Sequence, residues 1–135
     1  VRDANKALAI AEELARAESA LAAADLLAKE RLFSDAVSRM YYCLLFRIRA
    51  LLLTSDLEPR SHEGALRLLS LHFVKRGVLE PEASHLFSRL MKYREEADYN
   101  PSYVFTAEDV RRMREEIVDL SSRIALSIRA AGFEA

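Results

Sequence analysis

The sequence predicts an all-α protein, an antiparallel bundle of about five helices forming one domain over residues 1–135. Three observations lead there. Alanine, leucine, glutamate and arginine dominate, which is a helix-forming composition. Only three Gly and three Pro occur in 135 residues, too few for the tight turns of a sandwich or barrel, while 51% of the chain is hydrophobic and can fill a core. The third is the stretch Ser34–Leu53, SDAVSRMYYCLLFRIRALLL. At about 100° per residue, Val37, Met40, Tyr41, Leu44, Ile48, Leu51 and Leu52 cover one broad side, which Cys43 and Leu45 widen. A helix apolar over most of its circumference sits inside a bundle. One narrow strip differs: Asp35, Ser38, Arg39, Tyr42, Phe46 and Arg49 share about a third of the wheel. Charges on a central helix need solvent, a partner or a cleft to receive them, so this strip is expected to face a groove or a second subunit.

The other elements follow in order. Asp3–Lys29 reads as one long helix, with Leu8, Ala11, Ala15, Leu21, Ala22 and Leu26 recurring at threes and fours. Residues 30–33 make a short turn, and Ser34 is the expected N-cap of the central helix, with Asp35 favourably placed in its first turn. That helix ends near Thr54, before the polar loop TSDLEPRS. Ser61 caps a third helix running from His62 to Arg76, with Leu66, Leu69 and Phe73 as its apolar stripe and Gly77 ending it in the left-handed region. Pro81 opens a fourth helix carrying Ala83, Leu86, Phe87, Leu90, Met91 and Ala97, which Asn100-Pro101 stops. Thr106 with Asp109 resembles a capping box. The last helix then places Val110, Met113, Ile117, Leu120, Ile124 and Ile128 at near-heptad spacing until Gly132.

Charge and cysteine usage narrow the function. Twenty Lys and Arg against 21 Asp and Glu give a net charge of −1, which argues against bulk electrostatic binding of nucleic acid and leaves room for a local basic patch. The single Cys43 lies in an apolar run and cannot form an intrachain disulfide, so it reads as core and the compartment as reducing, hence cytoplasmic. A reactive thiolate would need a polar, electropositive setting. No signal-peptide pattern is present, and Arg47 and Arg49 break the longest apolar run before it could span a membrane. His62, His72 and His85 include no i, i+4 pair, and there is no second cysteine, so no metal site is expected. Nor is there a Gly-rich phosphate loop or a nucleophile elbow, and no cofactor is implied.

One constellation remains. MKYREEADYNPSY, at the end of the fourth helix, carries Arg94, Asp98, Tyr99 and Tyr103. Arg94 and Asp98 are one turn apart on one face, and Arg94 shares the side of Phe87, Leu90 and Met91. The plainer reading is an Arg–Asp pair that fixes the helix end, with two tyrosines closing the bundle. The sharper reading joins this cluster to the polar strip of the central helix. Arg39, Tyr42, Arg49 and Arg94 would then line a basic, aromatic groove suited to phosphate binding and base stacking.

The runs AVSRMYYCLLFRIRALLL, SHEGALRLLSLHFVKRGVL and YREEADY resemble the HEPN family, in particular its small stand-alone prokaryotic branch. The match rests on Ser38-Arg39-Met40-Tyr41-Tyr42 in the second helix, Ser61-His62 at the start of the third, and Arg94-Glu95-Glu96-Ala97-Asp98-Tyr99 at the end of the fourth. It covers nearly the whole chain in order. The resemblance implies a helical bundle that dimerises. It also implies either a metal-independent ribonuclease, in which an Arg is followed a few residues later by a His, or a partner of a minimal nucleotidyltransferase in toxin–antitoxin-like two-gene systems. In some such pairs the nucleotidyltransferase adenylylates a tyrosine near the motif.

The sequence departs from the ribonuclease pattern where it matters most. No His follows Arg94, and Tyr99 stands in its place. Tyrosine ionises near pH 10, about three units too high for a general base at neutrality. The expectation is therefore a regulatory module that binds nucleotide or RNA phosphate through Arg39, Tyr42, Arg49 and Arg94, forms a homodimer and works with a minimal nucleotidyltransferase, with no membrane role. Tyr99 and Tyr103 are the phenols placed for modification. Two alternatives stand beside it: a ribonuclease using Arg94, Asp98 and Tyr99, and a purely structural helical domain.

Overall fold

The computed structural model describes residues 2–135. It holds five helices and, among the described residues, no strand: α1 (Arg2–Lys29), α2 (Phe33–Leu53), α3 (His62–Leu69), α4 (Glu82–Tyr99) and α5 (Ala107–Ala130). The hub is α2, which packs against all four others. Its broad side is fully buried, from Val37 and Met40 through Leu44 and Ile48 to Leu52. Its polar strip keeps contact with solvent, as the wheel requires: Ser38, Arg39, Tyr42, Phe46 and Arg49 are half-buried and Asp35 is exposed. Cys43 is a free, buried thiol, and burial pushes its pKa up.

The helix α5 fits the expected register throughout, with Val110, Met113, Ile117, Leu120, Ile124 and Ile128 all buried. Its start is a full capping box. Thr106 Oγ1 accepts from the Asp109 amide at 3.1 Å, and the Thr106 amide donates to Asp109 Oδ2 at 2.9 Å. Ser61 caps α3 by accepting from the Gly64 amide at 2.9 Å. Gly77 sits at φ +78° and Gly132 at φ +97°, the left-handed conformation that lets a chain leave a helix. Asn100 is extended ahead of Pro101, which ends α4.

Three local expectations are corrected. The buried face of α1 is Ile10, Glu13, Ala17, Ala20 and Ala24, not the stripe through Leu8 and Leu26, which are 60% and 67% exposed. Ala11, Ala15 and Ala22 are exposed as well, and Leu21 is half-buried. In an alanine-rich helix several faces carry the same three-four spacing. The face of small residues wins because it lets the backbone of α1 lie close along α2. The second correction is at the start of α2, which begins at Phe33 with Leu32 as N-cap and no side-chain cap, so Ser34 lies inside the first turn. Arg31 adopts φ +62°, and the Leu32 amide donates back to the Leu27 carbonyl at 2.9 Å, reversing the chain in so few residues that no serine cap is needed. Third, the helix after His62 is not uniform. Ser70–Val74 is a π turn, in which the Lys75 amide reaches the Ser70 carbonyl at 2.8 Å. The Ser70 hydroxyl sits against the Leu66 carbonyl at 2.9 Å and Ser84 Oγ at 2.8 Å, and Phe73 is turned into the core.

Candidate functional site

The Ser38–Tyr42 part of the polar strip of α2, the first residue of α3 and the last turns of α4 meet, and Tyr41 is the ring they share. Tyr41 is fully buried. Phe87 of α4 lies nearly parallel to it at 5.7 Å between centroids, Tyr42 meets it edge-on at 5.2 Å, and His62 tilts against it at 5.5 Å. The Arg94 guanidinium lies 5.4 Å from the same ring, and that of Arg39 lies 4.8 Å from the Tyr42 ring, both within cation–π range. Tyr42 also contacts His62 edge-on at 6.0 Å and Phe46 at 6.0 Å.

The charged groups are held firmly. Arg94, whose side chain is 14% exposed, lies 3.6 Å from Asp98 one turn later, and Asp98 in turn accepts from the Ser38 hydroxyl of α2. Burial opposes the charge on Arg94, but its interactions with Tyr42, Tyr41 and Asp98 outweigh that and raise its pKa. Desolvation lowers the pKa of His62, and the Arg94 and Arg49 cations lower it further against the opposing effect of Glu63. An imidazole so placed is neutral at pH 7. Burial strongly raises the pKa of Tyr41, so its phenol stays protonated. Two donors in this cluster remain unused: Tyr41 Oη and Arg94 Nε are both buried with no hydrogen-bond partner. Such groups are costly unless an acceptor arrives.

The expected site residues separate into three sets. Arg39, Tyr42 and Arg94 come together around Tyr41. Arg49 lies at the far end of the strip, where its Nε sits 3.2 Å from Glu13 of α1, a carboxylate it shares with Arg16. A shallow depression lined by Leu45, Arg49, Pro59, Arg60, Ser61 and His62 links that end to His62. Asp98 joins the cluster through Ser38, whereas Tyr99, the last residue of α4, is 77% exposed. Tyr103 lies on another side of α4, 4.8 Å from the Phe105 ring, and lines a cavity of about 160 Å³ with Arg89, Tyr93 and Arg112. Two members were not read from the sequence as site residues. Tyr41 was placed in the core, where it is, but its hydroxyl belongs to the cluster. His62 enters the sequence reading as half of the Ser61-His62 pair; its position as the first residue of a serine-capped helix is the available signal. Among the described residues no group of three or more His, Cys, Asp or Glu could hold a metal ion, and no helix is long and apolar enough to cross a membrane.

A helical bundle with an arginine–tyrosine–histidine cluster built on α2, α3 and α4 defines a class, and comparison with known proteins identifies it. The HEPN domain model matches residues 10–123, and the chain belongs to the HEPN domain family. Among its relatives is a UPF0332 protein of Thermotoga maritima, 31% identical over 119 residues that cover 86% of this chain and 90% of that protein. Two proteins of Methanocaldococcus jannaschii, each named "putative toxin", are 37% and 32% identical over 83 and 94 residues. Those alignments cover 62% and 70% of this chain but only 62% and 64% of the two relatives, less than two thirds of their length.

Proposed function

We propose that this HEPN domain is the phosphate-binding module of a toxin–antitoxin-like two-gene system. It binds a nucleotide or single-stranded RNA at the cluster around Tyr41, acts as a homodimer and is held by a minimal nucleotidyltransferase. The observation that carries the binding reading is the pair of buried donors without partners, Tyr41 Oη and Arg94 Nε, beside the Arg94 and Arg39 guanidinium groups. A phosphate oxygen is an acceptor that would satisfy both needs, charge and hydrogen bonding. Arg39, stacked on Tyr42, adds a second cation, and Tyr42 and Phe46 offer rings for base stacking. The names of the two M. jannaschii relatives support the toxin part of the reading. Tyr103, beside Arg89 and Arg112, and the open Tyr99 are the phenols offered to an adenylylating partner. Intact mass after co-expression with such a partner reads this out directly.

A ribonuclease is the second reading, and His62 is the observation that favours it. The imidazole missing after Arg94 has a counterpart on α3, neutral and packed on the same Tyr41 ring. It would take the proton from a 2′-hydroxyl while Arg94 neutralises the phosphate. The test is binding of a fluorescent single-stranded RNA and its cleavage in EDTA, with Arg94→Ala and His62→Ala beside the wild type. Binding lost in Arg94→Ala without a matching loss of stability supports the module. Cleavage lost in both variants moves the ribonuclease to first place. If Arg94→Ala binds RNA normally and costs more than about 2 kcal/mol of stability, the cluster is structural and the proposal fails.

A further inference from the structure

The opposite flank of α2 carries a feature that the phosphate site does not use. Helices α1 and α5 both pack on α2 but barely touch each other. Among the described residues they are clasped towards their ends. Arg114 of α5 holds Asp25 of α1 through two bonds of 2.7 and 2.9 Å, and at the other end Lys6 lies 5.9 Å over the ring of Phe133. The two helices therefore run antiparallel, and between the clasps they border a slot on α2. Leu21, Val118, Ala125 and Leu126 form its rim, and it encloses a cavity of about 430 Å³. Val118 and Leu126 are 39% and 61% exposed, so the rim is unpartnered apolar surface.

The floor of this slot is Arg47, about 140° around α2 from Tyr42. Its Nε is buried without a hydrogen-bond partner, and so is the Oγ of Ser121 in the same lining. Its guanidinium interacts with the Cys43 thiol, and no carboxylate among the described residues pairs with it. Asp25 is taken by Arg114, Glu18 lies outside the lining, and Arg129 at the mouth donates to the Ala135 carbonyl. A half-buried cation beneath an apolar rim is costly unless an anion meets it. The lining itself carries two cations, Arg47 and Arg129, and no carboxylate.

We propose that the α1–α5 slot docks an amphipathic helix of another polypeptide, which lays leucine-type side chains on the rim and places one aspartate or glutamate on Arg47. An apolar rim of Leu21, Val118, Ala125 and Leu126 above the unpaired Arg47 fits helix-in-groove recognition, and the carboxylate supplies the acceptor that Arg47 Nε lacks.

The test is a displayed library of 18-residue amphipathic helices with leucine on the apolar face and a randomised polar face, selected on the intact protein. Binders should be enriched in one central Asp or Glu. As synthetic peptides they should bind roughly tenfold or more weakly to Arg47→Met, and their Glu→Gln versions should bind wild type as weakly as the acidic peptide binds the variant. Leu126→Asp, at an exposed position that leaves folding intact, should abolish binding. A set of binders without an enriched acid, or indifferent to Arg47→Met, overturns the proposal. So does failure to select any binder, or a homodimer in sedimentation that Leu126→Asp dissociates.

Discussion

Tyr41 belongs to the core and to the candidate site at once. Its ring is fully buried against Phe87, yet its hydroxyl has no partner within the fold. Tyr41→Phe is therefore expected to leave stability unchanged or raise it by up to about 1 kcal/mol, while RNA affinity falls. Urea denaturation and fluorescence anisotropy check the two halves, and a clear loss of stability would mean that the hydroxyl is bonded inside the fold. His62 makes a prediction about pH. Its folded pKa lies below the unfolded value of about 6.5 because of burial and then the Arg94 and Arg49 cations. Between those two pKa values the unfolded chain binds more protons, so stability rises with pH across that window and is lost as pH falls through it. His62→Gln should flatten that part of the stability profile, measured as urea midpoints from pH 7 to 5. At this scale the sequence was legible for Arg39, Tyr42 and Arg94, because wheel and spacing fix which face a residue takes. It was not legible for His62, because only the return of α3 towards α2 and α4 brings its imidazole onto Tyr41.

The individual helices differ in how openly their sequences declare them. Large aliphatic side chains at single positions mark the buried face of α5, and every one of them is inside. The face of α1 is hidden, because alanine is equally at home against α2 or in water and the leucines at 8 and 26 sit outside. Caps were legible where a side chain does the capping, at Ser61 and Thr106, and missed where the backbone reverses by itself, at Arg31. Ser61→Ala should cost about 1 kcal/mol and loosen the first turn of α3, which carries His62. Thermal denaturation reads the first effect. The second should appear as weaker RNA binding than the stability loss alone explains, and an unchanged affinity would separate the cap from the site.

The whole molecule is organised around one helix that contacts every other. Leu44, fully buried at the middle of α2, is expected to lose about 2–5 kcal/mol on replacement by alanine. The loss should appear as one cooperative transition shared by all five helices; separate melting of α1 or α5 would contradict a single core. The sequence by itself determined the class: five helices, a buried α2 with one polar strip, and membership signs in Ser38–Tyr42, Ser61-His62 and Arg94–Tyr99. The helices and the strip follow from periodicity and short-range chemistry, which act within a turn or two of helix; the membership signs rest on the resemblance to the family. Tertiary structure decided the rest. It joined Arg94, Tyr41, Tyr42 and His62 into one cluster, diverted Arg49 to Glu13, placed Tyr103 beside Arg89 and Arg112, and left Arg47 without a carboxylate between α1 and α5. Each of these depends on how close two helices approach and which faces they turn to each other, and packing across the whole bundle sets both.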